Sequence, residues 1–490
     1  MIFPTLDQVK TLAKTANVIP VCSTILADTE TPVSVWLKMF EKEPYGFLLE
    51  SVSGEDTVAR YSFLGGNPFM TFRVNGQSWE MTGRKAEKGA GDPVSRLREV
   101  LAGFRPARVD KLPRFSGGAV GFFSYDAIRL WEKIPDRNAE QPVVDDVFLG
   151  FYKDLVVFDK REHRILLICN ILVDDTTDIE TAYKDACYHV GKLEDRMAVR
   201  LNAAHVDIKQ TGSPVSTVSR AQYETAVEKC KEYIRAGDIF QVVLSQRFSV
   251  KVEANPFDLY RILRTVNPSP YMYYLSINEA SIIGASPEML VRVENRVTET
   301  RPIAGTIRRG SDDVEDERLA TQLRADPKER AEHIMLVDLG RNDLGRVCEY
   351  GSVRPEEIMH IEKYSHVMHL VTNVRGMLRE DKDALDALFS CFPAGTLSGA
   401  PKIRAMEIID ELEHVRRGIY GGALGYFDFS GNMDSCIVIR TIFFKDGVAY
   451  VQAGAGIVAD SVPAKEYDES VNKAMALFTA LDRAQSDLGR

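Results

Sequence analysis

Apolar runs interrupted by short polar turns characterise both halves of the chain. Three strand-like runs lie in the N-terminal part, at residues 47–52, 155–158 and 165–173. Three more lie near the C-terminus, at residues 422–429, 435–444 and 448–458. Short turns of Gly, Asn, Asp, Ser and Lys separate these last runs, which is typical of antiparallel pairing. The pattern therefore predicts strands in both halves and a strand meander near the C-terminus.

A different spacing marks helices in the C-terminal part. Ser219 and Gln222 form the pattern of a capping box, and Gly237 suits the end of the helix that follows. Its apolar positions recur at helical spacing, at Tyr223, Val227, Cys230 and Ile234. Further helices are predicted over residues 328–339 and 403–413.

A polar stretch at residues 201–219 contains Gly212, Pro214 and several Ser and Thr without a clear period, and it is predicted to be a linker. It divides the chain into an N-terminal half, residues 1–200, and a C-terminal half, residues 220–480. Strands and helices do not alternate regularly, and no Gly-x-Gly-x-x-Gly follows a strand. Both observations argue against Rossmann and TIM-barrel folds and favour the α+β class.

The composition is that of a soluble globular protein with a sizeable core. Of the 490 residues, 45% are hydrophobic and 27% are charged. The net charge of −10 argues against a nucleic-acid or anionic-membrane surface. The seven cysteines are scattered and form no CxxC, which indicates reduced thiols in a cytoplasmic protein. We expect neither a signal peptide nor a membrane span, because no apolar run approaches the roughly 18 residues that a span requires.

The stretch 392–402 is predicted to be a shaped loop before a helix. It holds two glycines, two prolines, a threonine, a serine and Lys402. Exposed backbone N–H groups beside a helix N-terminus suit an anion. The spacing Gly-x3-Gly-x2-Lys is not that of a P-loop, so the loop suggests an anion site other than an ordinary nucleotide site. A structural turn that caps the helix is the competing interpretation.

Two pairs of glutamates at i, i+3 spacing lie far apart in the sequence. Glu329 and Glu332 share one face of a predicted helix, and Glu466 and Glu469 repeat the spacing near the C-terminus. Carboxylate pairs without His or Cys partners suit a hard cation such as Mg²⁺. Solvated helix faces give the same spacing, and spacing alone favours that simpler explanation. Three histidines cluster nearby in the sequence, at His360, His366 and His369.

Six motifs of the C-terminal half carry a family resemblance. They are PIAGT at 302–306, DLGRNDLG at 338–345, YSHVMHL at 364–370, FPAGTLSGAPK at 392–402, GIYGGALGY at 418–426 and QAGAG at 452–456. Together they resemble the chorismate-utilising enzymes, and among these the component I family of anthranilate synthases. In the first 170 residues, LLES at 48–51 and ARYSF at 59–63 resemble the N-terminal regulatory half of that family. The resemblance implies large antiparallel-rich β-sheets packed as a sandwich, with helices outside.

The resemblance also implies a Mg²⁺ site and a substrate site. Glu332 and Glu469 are the implied Mg²⁺ ligands, with the metal bridging to the ring carboxylate of chorismate. The implied backbone contacts to substrate are Gly305, Thr306, Gly454, Ala455 and Gly456. The enolpyruvyl carboxylate is assigned to Tyr420, Arg440 and Lys473, and an arginine fork suits a carboxylate.

Three further residues receive catalytic roles from the resemblance. Glu288 matches the general acid for the departing 4-hydroxyl, so its pKa is expected to be raised. His369 and Thr396 match residues near the reacting ring, with His369 the expected base. The implied reaction joins ammonia to C2 of chorismate while the 4-hydroxyl leaves, and it then expels pyruvate to form anthranilate.

Two positions separate members of the family. Members that attach a lysine to C2 have that lysine where this chain has Ala304, which disfavours aminodeoxychorismate synthase component I. Members that activate water, the isochorismate and salicylate synthases, have a lysine where this chain has Gln241. A glutamine cannot act as a base, so free ammonia is the expected nucleophile. A catalytically silent tryptophan-binding regulator is the alternative outside enzymology.

The resemblance extends to partners and regulation. No Gly-x-Cys-x-Gly elbow is present, so a separate glutamine amidotransferase subunit is expected to deliver ammonia within a heterotetramer. The product would make the reaction the first committed step of L-tryptophan biosynthesis. Feedback inhibition by tryptophan is expected from residues matching the family's inhibitor site, namely Glu50, Ser51, Pro270, Tyr271 and Met272.

Overall fold

The computed structural model describes residues 2–488, except 53–59, 85, 139–141, 202–205, 207 and 365–366. Ala59, His366 and part of the predicted linker therefore lie outside the described residues. The described chain is organised around two 12-stranded sheets, whose ladders are antiparallel.

The first sheet joins its strands, numbered in chain order, along one path. These are β1 (Val18–Leu26), β10 (Arg164–Leu172), β9 (Asp154–Asp159), β3 (Tyr61–Gly66), β2 (Tyr45–Glu50), β13 (Tyr271–Ile277), β14 (Ala280–Ser286), β23 (Thr441–Lys445), β24 (Val448–Ile457), β12 (Gln241–Ala254) and β11 (Ile208–Ser216), with β20 (Gly399–Ala400) also paired to β12.

The second sheet is built in the same way. Its path is β17 (Ile303–Arg308), β19 (Val367–Met377), β16 (Val297–Thr300), β15 (Met289–Glu294), β22 (Met433–Ile437), β21 (Ala423–Asp428), β7 (Gly118–Phe123), β8 (Val147–Tyr152), β4 (Met70–Asn75), β5 (Ser78–Gly83) and β6 (Glu87–Ala90), with β18 (Arg354–Lys363) paired to β19.

Helices connect and cover the strands. They are α1 (Leu6–Leu12), α2 (Pro32–Met39), α3 (Pro93–Ala102), α4 (Ile179–Ala198), α5 (Arg220–Ala236), α6 (Pro256–Val266), α7 (Asp313–Ala325), α8 (Pro327–Gly345), α9 (Ala384–Cys391), α10 (Lys402–Leu412) and α11 (Pro463–Leu488). Short 3₁₀ helices lie at Tyr125–Leu130 and Gly395–Leu397. None of the helices in the described residues combines the length and apolar character needed to cross a bilayer.

The two sheets pack face to face, which confirms the predicted sandwich. Aromatic rings from both sheets meet between them, as where Phe47 of β2 lies 4.7 Å, centroid to centroid, from Tyr152 of β8. The outer face of the first sheet packs against α1, α2, α4, α6 and α11. The outer face of the second packs against α3, α8 and α9. Each sheet therefore buries both faces of its central strands, which read as nearly continuous apolar runs.

Both halves of the sequence contribute to both sheets. β2 pairs with β13 in the first sheet, and β7 pairs with β21 in the second. Residues 208–216 of the predicted linker form β11, an edge strand that pairs with β12 through a bulge. That part of the linker prediction is wrong, because a mostly polar edge strand with one face in solvent lacks a clear apolar period.

The predicted strand 435–444 is also corrected. It is two strands, β22 in the second sheet and β23 in the first, separated by residues 438–440. Val438 and Ile439 are apolar because the segment crosses between two buried surfaces, and Arg440 and Thr441, although polar, are not residues typical of a turn, so the run does not reveal the break. The other predicted runs correspond to β2, β9, β10, β21 and β24. The capping box of α5 is present, with Gly237 left-handed at its end, as predicted.

Candidate active site

A cavity of about 990 Å³ opens where the two sheets exchange strands. Its walls come from β17, β19 and β24, from helix α11 and from the loop after α6. The size suits a small-molecule ligand. Several residues that the sequence predicted to be functional line it, namely Glu288, Thr306, His369, Thr396, Tyr420, Arg440, Gly454, Gly456, Glu469, Lys473 and Pro270.

A ribbon of two antiparallel segments crosses from one sheet to the other at the cavity. One segment continues from β14 to β15 through Pro287 and Glu288, and the other from β22 to β23 through residues 438–440. The backbone N–H of Ile437 donates to the Glu288 carbonyl at 3.1 Å, and that of Ala285 donates to the Arg440 carbonyl at 3.2 Å. Glu288 and Arg440 thus lie at the same crossover, fixed by hydrogen bonds between the segments.

Glu288 is held in a water-poor part of the cavity wall. Burial raises the pKa of its carboxyl to about 8, although the Thr396 hydroxyl and the charge of Arg440 act in the opposite direction. Thr396 Oγ1 lies 3.3 Å from Glu288 Oε1. The carboxyl is therefore mostly protonated at neutral pH, as a general acid requires, which confirms the pKa expectation from the sequence.

Arg440 presents a guanidinium to the cavity. Its backbone has φ 51°, a left-handed conformation that costs a non-glycine residue on the order of 1–3 kcal/mol and often marks a functional position. Burial lowers its pKa, and Glu288 partly offsets that shift. No side chain of the described residues hydrogen-bonds to this guanidinium, so its fork is available to an anionic ligand.

His369 lies opposite, on β19, paired with Thr306 of β17. Its Nδ1 is 3.0 Å from Thr306 Oγ1 and 3.2 Å from the carbonyl oxygen of Gly305, where β17 bulges with φ 61°. Because a carbonyl oxygen only accepts, Nδ1 carries the proton and Nε2 keeps its lone pair. Burial lowers the pKa of His369, so the neutral imidazole persists below its usual range. The residue is therefore suited to act as a base.

A buried network supports the floor of the cavity. Arg417 forms a bidentate pair with Glu413, at 2.9 Å from Nε to Oε2 and 2.6 Å from Nη2 to Oε1. The guanidinium also lies over the ring of Tyr420, at 5.5 Å, and burial raises the pKa of that tyrosine to about 12. Tyr420 hence remains a neutral phenol that can donate a hydrogen bond. Ser245 donates to Glu413 as well, at 2.8 Å.

One lining residue received no role from the sequence. Gln452 begins the QAGAG motif, is 7% exposed and lines the cavity wall. Its Nε2 donates to Ser245 Oγ at 2.8 Å, while its Oε1 has no hydrogen-bond partner among the described residues. In the sequence, the position of Gln452 next to the glycines of that motif is the only indication of a site. A buried acceptor without a donor can be recognised only in the structure.

Successive residues of the QAGAG motif in β24 point to opposite faces of the sheet. Gly454 and Gly456 line the cavity, whereas Ala455 points its methyl group into the core beneath α5 and α10. A Cβ on Gly454 would lie 2.3 Å from the Leu244 carbonyl oxygen, so only glycine fits. Ala455 can contact a ligand only through its backbone. Lys473 Nζ lies 3.2 Å from the Gly454 carbonyl oxygen and 2.6 Å from Glu469 Oε1.

The predicted metal ligands lie on α8 and α11. Glu469 lines the cavity, and Glu332 is exposed on α8, one turn from Glu329. Burial, followed by the charge of Glu332, raises the pKa of Glu329, which shows two carboxylates in mutual repulsion. Within the described ranges no three His, Cys, Asp or Glu side chains form a ready-made metal cluster. Carboxylate oxygens, which both predicted ligands offer, are the ligands that Mg²⁺ prefers.

The loop 392–402 lines the cavity through Thr396 and Leu397. Lys402, which the sequence suggested as part of an anion site, donates to Asp343 at 3.2 Å and to the Cys391 carbonyl at 3.1 Å. Gly399 and Ala400 pair with β12. The charge of Lys402 is therefore neutralised, and the structural-turn interpretation fits this part of the loop.

Three residues of the predicted inhibitor site, Glu50, Ser51 and Met272, lie where the end of β2 pairs with the start of β13. Glu50 of β2 pairs in register with Met272 of β13. The Glu50 carboxylate accepts from Tyr260 Oη at 2.5 Å and from Arg264 Nε at 2.6 Å. Lys160 donates to the Ser51 carbonyl at 2.5 Å.

The remaining two positions of this set face different surroundings. The hydroxyl of Tyr271 is bound to Asp434 between the sheets, at 3.0 Å. Pro270 alone of the five lines the cavity.

The chain matches a known protein family. Residues 52–479 match the family model of the chorismate binding enzymes. The chain is 50% identical to anthranilate synthase component 1 of Acetivibrio thermocellus, over 99% of each of the two chains. It is 47% identical to anthranilate synthase component 1 of Aquifex aeolicus strain VF5, over 98% of each chain. It is similar to the crystal structure of anthranilate synthase component I from Streptococcus pneumoniae TIGR4, with a TM-score of 0.75, 39% identity, and coverage of 92% of this chain and 98% of that one. The menaquinone-specific isochorismate synthase of Escherichia coli shares the fold, with a TM-score of 0.72 at 17% identity and coverage of 97% and 98%.

Proposed function

This chain belongs to the chorismate-binding enzyme family, and from that premise we propose that it converts chorismate and ammonia to anthranilate and pyruvate. The observation that carries the proposal is the crossover, where a protonated Glu288 and Arg440, whose guanidinium has no hydrogen-bond partner among the described side chains, line the same cavity as the neutral base His369. An acid, an anion-binding cation and a base are the groups that the two steps require.

The first step needs an acid at the leaving group. As ammonia attacks C2, the bond from C4 to its hydroxyl breaks, and the Glu288 proton passes to that oxygen so that it departs as water. Arg440 and the Tyr420 hydroxyl hold the enolpyruvyl carboxylate, and Lys473 adds positive charge at the same wall. Positioning of this kind lowers the entropic part of the barrier.

The second step needs a base at C2. His369 Nε2 accepts the C2 proton, and the electrons complete the aromatic ring as the bond between the ring and the ether oxygen breaks. The enolpyruvate that departs takes up one proton and becomes pyruvate. Thr306 and the Gly305 carbonyl keep the imidazole in the tautomer that leaves Nε2 free.

Two side chains favour ammonia over the nucleophiles of related enzymes. Ala304 lines the cavity where a lysine-bearing relative would present an amine to C2. The Gln241 amide contacts the QAGAG strand, where its Nε2 is 2.8 Å from the place of a Cβ on Gly456. Neither residue can supply a covalent amine or a base for water.

Mg²⁺ completes the proposed site. Glu332 and Glu469 would hold it, with Glu329 and Glu466 next to them, and it would offset the negative charge of the substrate's carboxylates. We also place the chain in the cytoplasm, in a heterotetramer with a glutamine amidotransferase subunit that supplies ammonia. The reduced state of all seven cysteines is consistent with that compartment.

A product assay tests the proposal directly. The pure chain, given chorismate, Mg²⁺ and ammonium at alkaline pH, is expected to release pyruvate and blue-fluorescent anthranilate in equal amounts. Omission of ammonium is the control and should abolish the product. A 4-amino product, or isochorismate or salicylate without ammonium, would assign the chain to a different branch, and tryptophan binding without turnover would indicate a silent regulator.

We propose that L-tryptophan inhibits the reaction from the Glu50 region, where the carboxylate would bind the amino acid's ammonium group. Glu50→Gln is expected to weaken tryptophan binding by about tenfold or more, since hydrogen bonds to charged groups contribute roughly 1.5–3 kcal/mol. Turnover without inhibitor should change less than twofold, because Glu50 lies outside the cavity lining. Calorimetry with L-tryptophan measures the loss, and Glu279→Gln, on the exposed turn between β13 and β14, is the matched control. Equal affinity in both variants would remove Glu50 from the inhibitor site.

A further inference from the structure

The buried acceptor of Gln452 stands out in the cavity wall. Its Oε1 is unsatisfied among the described residues although the side chain is 7% exposed. An acceptor buried without a donor costs roughly 1–3 kcal/mol, so a native protein keeps one where a ligand or solvent molecule satisfies it. The amide lines the main cavity and also a smaller one of about 20 Å³, which it shares with Tyr420. That volume is enough for one molecule of the size of water or ammonia.

The orientation of this amide is set by a chain of hydrogen bonds. Arg417 and the backbone N–H of Ser245 fix the Glu413 carboxylate, and the single hydroxyl proton of Ser245 is donated to it at 2.8 Å. Ser245 Oγ can then only accept from Gln452, at 2.8 Å. The amide nitrogen must therefore face Ser245, and the oxygen must face away from it.

From this arrangement we infer that Gln452 positions the ammonia nucleophile, with Oε1 accepting one of its N–H groups. The inference rests on the proposed use of ammonia. Ammonia needs no deprotonation before it attacks, because its lone pair stays free when one N–H is bound. An amide oxygen carries no proton to give, so it can hold ammonia by an N–H without converting it to ammonium. Gln452 acts on the nucleophile, whereas Arg440 and Tyr420 act on the substrate carboxylate.

Steady-state kinetics of Gln452→Met test the inference. Methionine keeps the length and volume of the side chain but removes the acceptor. At fixed pH and saturating chorismate, the KM for ammonium is expected to rise about tenfold, while the KM and the dissociation constant for chorismate stay within twofold of wild type. A merely structural role would not separate the two substrates in this way.

Gln246→Met is the matched control. Gln246 is buried on the neighbouring strand, where its amide donates to Ser470 at 2.7 Å and accepts from Ser216 at 2.6 Å, away from the cavity. It should lose stability without any change in the KM for ammonium. If Gln452→Met does not fold, Ser245→Ala carries the test, since it frees the amide but keeps Oε1, and a roughly threefold rise in the KM for ammonium is expected.

The outcomes are distinct. An unchanged KM for ammonium, or a rise confined to chorismate, overturns the role of Gln452 while the proposed function stands. Failure of the wild-type chain to form anthranilate from chorismate and ammonium overturns the proposed function itself.

Discussion

Glu288→Gln is expected to lower kcat for anthranilate formation by roughly 10²–10⁴-fold, the usual contribution of a general acid. Glutamine has the shape of the protonated carboxyl but no proton to give to the leaving hydroxyl. The KM for chorismate should change little, because the wild-type group is already neutral at pH 7, with a pKa near 8. Stopped-flow fluorescence of anthranilate release measures the loss. Retention of a tenth of wild-type turnover would remove Glu288 from the acid role.

The dependence of activity on pH tests the role of Glu288 as the acid in a second way. Glu288 acts when protonated, so wild-type activity should fall as pH rises through about 8. His369 acts when neutral, and burial lowers its pKa, so the acidic limb should lie below the usual range of histidine. With free ammonia held constant, the alkaline limb should disappear in Glu288→Gln. Glu294→Gln, at the far end of β15, should leave both limbs in place.

Glu332→Gln is expected to lower turnover by roughly 10²-fold or more and to weaken Mg²⁺ binding, since a metal ion contributes several kcal/mol of charge stabilisation. Stability should fall by less than about 0.5 kcal/mol, because Glu332 is exposed and its removal relieves repulsion with Glu329. Turnover and isothermal titration with Mg²⁺ measure the two effects separately. Full activity and unchanged Mg²⁺ affinity would exclude Glu332 as a ligand.

Glu317→Gln controls for the loss of a surface charge. Glu317 is exposed on α7, 3.9 Å from Arg324, and it lies away from the cavity. An exposed pair of this kind contributes at most about 1 kcal/mol. Its variant should retain both turnover and Mg²⁺ affinity, so that any loss in Glu332→Gln belongs to the site.

Local signals in the sequence were enough for most elements. Turn residues and capping patterns are decided by nearby atoms, so the meander turns, the α5 capping box and Gly237 could be predicted. Of the catalytic, substrate and metal residues that the resemblance named, the structure gathers all but Gly305, Ala455 and Glu332 in the lining of one cavity. The raised pKa of Glu288 followed from its assigned role and has a visible cause, which is burial at the crossover.

The pairing of strands that are distant along the chain could not be predicted from the sequence. The run 435–444 is apolar except at Ser435, Arg440 and Thr441. It therefore does not reveal that β22 and β23 belong to different sheets. Residues 208–216 look like a linker because an edge strand buries little. The free acceptor of Gln452 depends on the proton of Ser245, which is committed to Glu413 far along the chain. Such features arise only when distant segments meet.

The crossover ribbon has a mechanical consequence. Hydrogen bonds tie the Glu288 segment to the Arg440 segment, whereas His369 belongs to β19 in the second sheet. Only two strand spacings, roughly 10 Å in all, separate β2, which ends at Glu50, from β14, which leads into Glu288. Because both segments run into both sheets, a shear between the sheets would bend the ribbon and displace Glu288 and Arg440 together relative to His369. Such a displacement would misalign the proposed acid with the proposed base while the acid and Arg440 stayed side by side.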